Sequence, residues 1–97
     1  MTRAELEAEW LRLTRNVLPG LAEARGWPVR YDHCFQRILL DNACVGRWYD
    51  HVKGRPAYAH APDEVLLRAV ALGAAVVSGG EDLAPLNRRS LGWRGKG

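Results

Sequence analysis

Residues 31–46 have the sequence YDHCFQRILLDNACVG, and this stretch predicts the central helix of the protein. Asp32 is a residue type that often caps the start of a helix, and Gly46 is one that often ends it, so we expect a helix over residues 33–45. At about 100° per residue, apolar side chains cover well over half of its circumference. They are Cys34, Phe35, Ile38, Leu39, Ala43 and Val45. A helix with so wide an apolar face must be mostly buried.

The narrow polar stripe of this helix carries His33, Arg37 and Asp41, with Cys44 beside it. Residues four apart touch on a helix, so Arg37 could bridge the imidazole and the carboxylate. One interpretation is a salt-bridged stripe that orients neighbouring helices. The other is a polar pocket in which Arg37 holds a phosphate or carboxylate and His33 handles a proton. The pattern favours the first interpretation and leaves the second open.

Two other residues of this helix need an explanation. Asn42 falls inside the apolar arc, where an unpaired amide costs a few kcal/mol, so we expect it to bond to the backbone of the loop at residues 48–58. Cys34 lies in the first helical turn next to His33, as a reactive thiol would, but it points into the apolar arc. We interpret Cys34 as a core residue, with a nucleophilic cysteine as the alternative.

Spacing and end signals predict helices on both sides of the central one. Thr2 and Glu5 form a capping box that starts a helix, and Pro19 should break or kink that helix. A helix at residues 65–77 is apolar nearly all round, so both of its sides must be covered by this chain or by a partner. A last helix is expected at residues 82–91.

The fold class that these patterns predict is all-α, a compact bundle of four to five helices in a single domain, residues 1–97. The length of 97 residues suits one hydrophobic core, and 47% hydrophobic with 26% charged residues is typical of a globular protein. No repeat and no convincing alternating strand pattern is present.

A reduced, cytoplasmic setting without membrane contact is expected. Cys34 and Cys44 lie ten residues apart on one helix, roughly 15 Å at a rise of about 1.5 Å per residue, so they cannot form a disulfide. The first residues lack a hydrophobic signal core, and Arg68 interrupts the longest apolar run. The histidines His33, His51 and His60 show no metal-ligand spacing with the cysteines, so neither a metal nor a cofactor is predicted.

The clearest indication of a partner is a basic C-terminal tail at residues 88–97. It contains four basic residues and one tryptophan, without an acidic residue. These are Arg88, Arg89, Trp93, Arg94 and Lys96. Basic groups neutralise phosphates and an indole can stack on a base, and Trp48 in the central loop could add a second stacking surface. This composition predicts binding to nucleic acid, either DNA or RNA.

Two blocks of the sequence resemble a small family of bacterial proteins of about this length. They are RYDHCFQRILLDNACVGRW at residues 30–48 and LNRRSLGWRGKG at residues 86–97. Some members are described as GCN5-related N-acetyltransferases. That description implies a pyrophosphate loop with Gln or Arg, two residues, Gly, one residue, then Gly or Ala. Arg89 and Gly92 match its first part, and Arg94 stands where Gly or Ala is expected.

The leading functional hypothesis is therefore a small nucleic-acid-binding protein that contacts phosphates through its basic, Trp-containing end. An alternative is a small transferase, acyltransferase-like or with a nucleophilic cysteine, whose pocket surrounds His33, Cys34, Arg37 and Asp41. A second alternative is a protein-interaction module that forms a homodimer through the helix at residues 65–77.

Overall fold

The computed structural model describes residues 1–96 and shows an all-α fold, as the sequence predicts; no strand occurs in this range. Its elements, in chain order, are α1 (Arg3–Arg12), a π-helical turn (Leu13–Val17), α2 (Leu18–Ala22), α3 (Asp32–Cys44), a 3-10 turn (Trp48–Asp50), α4 (Ala57–His60), α5 (Asp63–Ser78) and α6 (Leu83–Trp93).

Helix α1 begins as its sequence predicts. The Thr2 hydroxyl accepts a hydrogen bond from the Glu5 backbone N–H, and the Glu5 carboxylate accepts one from the Thr2 backbone N–H. Pro19 does not break the helix, because helical geometry continues to the end of α2. The wider π turn lies directly before Pro19, where it relieves the clash between the proline ring and the carbonyl four residues earlier.

Helix α3 lies at the centre and packs against α5, α6 and the π turn. Six of its residues are buried: Phe35, Ile38, Leu39, Leu40, Asp41 and Ala43. Its start differs by one position from the expectation, since Tyr31 is the N-cap and Asp32 is the first helical residue. The Asp32 carboxylate still accepts a hydrogen bond from a first-turn N–H, that of His33.

The end of α3 contradicts the prediction that Gly46 stops the helix. Val45 takes the left-handed conformation there, with φ 53° and ψ 49°. Its N–H and that of Gly46 return to the last carbonyls of the helix, which is the Schellman arrangement. Gly46 instead occupies the next position, where an added Cβ would lie 3.3 Å from the His51 ring.

We expect the substitution Val45→Gly to stabilise the protein by about 1 kcal/mol. A β-branched residue is strained at positive φ, and Val45 is 74% exposed, so the change removes strain and almost no buried surface. Urea denaturation measures the effect. Val77→Gly, at a helical position in the last turn of α5, is the control and should lower stability. A loss of stability in Val45→Gly would contradict the expectation.

Helix α5 covers α3 closely on one side. Gly73 faces the core, where an added Cβ would lie 3.2 Å from Leu39 Cδ1 and 3.3 Å from Leu13 Cδ1. At the C-terminal end of the helix, Arg25 donates to the carbonyls of Val76 and Val77 and satisfies two orphan acceptors. The close approach of α5 to Leu13 and Leu39 therefore depends on Gly73, a residue without a side chain.

The described residues leave the outer side of α5 uncovered, so of the two sources of cover that the sequence offered, this chain and a partner, only the partner remains for that side. Leu67 is 51% exposed, and Ala71 and Ala74 are exposed with it. The homodimer predicted for this helix stays a prediction. None of the helices described in residues 1–96 is long and apolar enough to cross a bilayer.

Candidate anion-binding pocket

A surface cavity of about 390 Å³ lies where α3 and the central loop meet the C-terminal end of α6. Helix α3 forms one wall of the cavity, and Trp48 with residues 55–57 forms the second. Arg94, which follows α6, completes the lining. Its lining residues are His33, Gln36, Arg37, Leu40, Trp48, Arg55, Pro56, Ala57 and Arg94. The fold thus brings parts of both sequence blocks into one concave site.

Asp41 is the buried anchor beneath this cavity. Its carboxylate is fully buried and accepts two hydrogen bonds from Arg94, at 2.7 and 3.1 Å. It also accepts one from the Ser90 hydroxyl at 2.7 Å and one from the Trp48 backbone N–H at 3.0 Å. The carboxylate raises the pKa of Arg94 mainly through these hydrogen bonds. One side chain therefore joins α3, α6 and the central loop.

Arg37 does not pair with Asp41, in contrast to the salt-bridged stripe that the sequence favours. Its guanidinium donates to the Ser90 hydroxyl at 2.7 Å and to the Asn87 side-chain oxygen at 2.9 Å, which are both neutral acceptors. Burial is the main factor that lowers the pKa of Arg37, and the charge of Arg94 acts in the same direction, whereas Cys34 and Asp41 act against it. The half-buried cation is thus left without direct contact to an anion.

Arg37 keeps the capacity to bind a ligand. A guanidinium carries five N–H donors, and two of them are used, which leaves three. Within residues 1–96, no buried side-chain nitrogen or oxygen lacks a hydrogen-bond partner, so the Nε of Arg37, which makes no hydrogen bond to the protein, is accessible to solvent. A planar, bidentate anion such as a phosphate or carboxylate suits such a group.

The charge balance of the pocket is positive. Arg37, Arg55 and Arg94 contribute three charges, and Asp41 compensates one, which leaves a net charge of +2 with neutral histidine. Arg55 is exposed and lies over the Trp48 ring, 5.4 Å from its centroid. Low-dielectric walls from Leu40, Pro56 and Ala57 reinforce the positive potential inside the cavity.

Gln36 adds an acceptor to a pocket dominated by donors. The buried Thr14 hydroxyl donates to the Trp10 carbonyl, so its oxygen can only accept from Gln36. The Gln36 amide therefore directs its nitrogen to Thr14, at 3.1 Å, and leaves its oxygen free. Thr14 belongs to the π turn, which links that backbone irregularity to the pocket.

The predicted catalytic residues do not form one cluster. His33 lies at the rim with its side chain 76% exposed, stacked on Tyr31 with ring centroids 5.8 Å apart. Cys34 is half-buried and lines a separate groove with Trp27 and Val29. Cys34 and Cys44 are free thiols, and burial is the main factor that raises the pKa of Cys44. Only His33 and Arg37 of the four candidates line the cavity.

Asn42 has a different partner from the one predicted. Its amide donates to the carbonyls of Ile38 and Leu86, so it attaches α3 to α6. The central loop is held instead by Asp41, through the Trp48 N–H. The expectation that the amide would be hydrogen-bonded is confirmed, and the loop partner was wrong.

The basic residues at the C-terminal end are divided between two environments. Residues 88–93 belong to α6, and Arg88 and Arg89 are exposed there, as is Lys96 beyond the helix. Arg94 instead turns inward to Asp41, and Trp93 is half-buried. The segment described up to residue 96 is thus largely part of the fold. Gly97, the last residue of the predicted tail, lies outside the described residues.

The aromatic rings near the pocket are already covered by cations. The guanidinium carbons of Arg47 and Arg94 lie 5.6 and 5.2 Å from the Tyr49 ring centroid, and Arg55 lies over Trp48. Such contacts are cation–π interactions. Arg55 already occupies one face of Trp48, and the same guanidinium group is suited to contact a phosphate.

The residues that match the acetyltransferase pattern have a different local structure here. Arg89 and Gly92 lie within α6, so they do not form a loop between a strand and a helix. Residues 1–96 also contain no group of three or more His, Cys, Asp and Glu side chains arranged to hold a metal ion. Comparison with known proteins finds no matching family model, no significantly similar curated protein and no significantly similar solved structure.

Sequence reasoning missed several members of the site. Asn87 and Ser90 are buried on the inner face of α6, and a polar pair three residues apart among Leu83 and Leu86 was the available signal. Polar residues that replace apolar ones on a buried face need partners, which here come from α3. Gln36 gave no comparable signal.

Proposed function

We propose that this protein binds nucleic acid and that the pocket of Arg37, Arg55 and Arg94 receives a phosphate of the strand. The observation that carries the proposal is the half-buried guanidinium of Arg37, whose only side-chain partners are neutral. Burial of a cation costs free energy unless an anion compensates it, and a bound phosphate would do so. The overall charge of +3 and the exposed Arg88 and Arg89 favour the same class of ligand.

The contacts would be electrostatic and largely independent of sequence. Three arginines line the cavity: Arg37, Arg55 and Arg94. Contacts to phosphates carry no sequence information, so no helix that contacts base edges is needed. With the pocket phosphate and two further phosphates at Arg88 and Arg89, about three contacts in all, the logarithm of affinity for a single strand should fall with a slope of about −2 against the logarithm of salt concentration. This dependence is the quantitative signature of the proposal.

The test is binding of labelled single- and double-stranded DNA and RNA at several salt concentrations. We expect Arg55→Ala to weaken binding uniformly across sequences and to make the salt slope shallower. Arg55 is exposed and holds no carboxylate, so its removal should leave the fold intact. Arg15→Ala is the matched control, since Arg15 is exposed and does not line the cavity.

The double variant Arg88→Ala/Arg89→Ala separates this site from the surface predicted by sequence alone. If that variant loses binding while Arg55→Ala binds normally, the outer face of α6 is the contact surface and the pocket is not. Salt-insensitive binding, or none by the intact protein, would overturn the proposal.

A further inference from the structure

The geometry points to a more specific ligand: the pocket takes a terminal phosphate monoester, as at the end of a nucleic-acid strand. This inference rests on the proposed function and deepens it. Its first basis is charge, because Arg37, Arg55 and Arg94 with Asp41 leave a net charge of +2. A phosphate monoester carries about −1.5 to −2 at neutral pH, whereas each internal diester carries only one negative charge. The pocket therefore matches the monoester.

Its second basis is shape. The cavity has a volume of about 390 Å³, within the range of roughly 300–1,000 Å³ that is typical of small-ligand pockets. Leu40, Pro56 and Ala57 form apolar walls around the guanidinium groups. An internal diester carries chain on both sides of the phosphorus into the cavity, whereas a terminal phosphate enters with a single substituent. The shape thus favours the end of a strand over its interior.

Its third basis is the arrangement of donors. Arg37 has three unused N–H groups, and Arg94 uses its Nε and one Nη on Asp41, so further guanidinium donors remain at the other Nη of Arg94 and on Arg55. A monoester presents three terminal oxygens, one more than a diester presents, and each accepts strongly. Gln36 supplies the complementary acceptor, because Thr14 fixes its amide with the oxygen free. That oxygen can accept from a hydroxyl of the terminal sugar.

The experiment compares internally labelled oligonucleotides of one sequence that differ only at their ends. One carries a 5′-phosphate, one a 3′-phosphate and one only hydroxyl ends, and binding is measured at a single near-physiological salt concentration. We expect one phosphorylated strand to bind at least tenfold tighter than the strand with hydroxyl ends. A nucleoside monophosphate should compete for the protein, and the corresponding nucleoside should not.

Two variants keep the test independent of folding. Arg55→Ala should reduce the preference for the phosphorylated end at least threefold, and Arg15→Ala should preserve it. Arg37→Met should abolish the preference if its circular dichroism spectrum stays native, and Arg55→Ala alone decides the question if it does not. Arg55 is exposed and forms no ion pair among the described residues, so its loss should not unfold the protein.

The outcomes distinguish this inference from the proposed function. Equal, salt-sensitive binding of all three strands would overturn the terminal-monoester site and support general nucleic-acid binding. Saturable binding of the nucleoside monophosphate without binding of any strand would support the monoester site and overturn the nucleic-acid function. If inorganic phosphate binds as tightly as the nucleoside monophosphate, the sugar and its contact with Gln36 do not contribute to affinity, which would overturn the strand end as the preferred ligand. No binding by any probe would overturn both.

Discussion

Replacement of Asp41 with alanine should destabilise the protein by about 3 kcal/mol or more. The substitution leaves four donors without their acceptor: two from Arg94, the Ser90 hydroxyl and the Trp48 backbone N–H. Breaking a buried ion pair by removal of one partner is costly because the other charge is left uncompensated. The Arg94 side chain is 20% exposed and can regain some hydration, which places the loss at the lower end of the usual range of about 3–5 kcal/mol.

Urea denaturation of the full chain measures this loss, and Asp50→Ala is the matched control. Asp50 pairs with Arg47 at 2.9 Å, but both side chains are 46% exposed. Exposed pairs contribute about 0–1 kcal/mol, so the control should change stability by less than about 1 kcal/mol. Similar small losses in both variants would show that the Asp41 network does not hold the helices together.

The variant Asp41→Asn separates charge from shape at the same position. The amide has the size of the carboxylate and keeps one acceptor oxygen, but its nitrogen must face donors. We expect the free energy of unfolding of Asp41→Asn to lie between that of the wild-type protein and that of Asp41→Ala. If Asp41→Asn is as stable as the wild-type protein, the hydrogen bonds and not the ion pair stabilise this junction.

Phe35→Ala should cost about 3–5 kcal/mol, comparable to the whole stability of a small domain. Phe35 is fully buried in α3, and its ring packs edge-on against Trp27 with centroids 5.7 Å apart. Its loss removes buried apolar area and leaves a cavity at the centre of the fold. A thermal melt should show a transition lowered by at least ten degrees or an unfolded chain at room temperature.

Tyr31→Ala is the control for this prediction. Tyr31 is an aromatic residue four positions earlier, but it is 54% exposed and stacks on His33 at the surface. We expect less than about 1 kcal/mol from its removal, as for most surface substitutions. Equal losses in the two variants would place the core elsewhere than on the inner face of α3.

The local structure was largely predictable because short-range signals specify it. The capping box of Thr2 and Glu5 starts α1, and the apolar spacing of the 31–46 stretch places α3. Errors arose where two residues compete for one role, as when Val45 rather than Gly46 took the left-handed position. Of the break or kink predicted at Pro19, the break does not occur, since a π turn before it lets the helix continue.

The candidate site was only partly predictable, because its members are distant in sequence. Arg37 was identified as a candidate for holding a phosphate or carboxylate, and the structure places it in a cavity with that capacity. Its predicted pairing with Asp41 was wrong, because Arg94, 53 residues further along the chain, occupies the carboxylate. No helical periodicity indicates which of several arginines will reach a given acid.

The sequence by itself determined the all-α class, the central position of α3 and the positive charge, since each follows from composition or from spacing within a few turns. Only the tertiary structure decided that Asp41 pairs with Arg94, that Arg37 meets neutral partners and that Arg55 joins them. The physical reason is that a helix specifies which side chains share a face, whereas packing between helices decides which charge is neutralised and which remains free for a ligand.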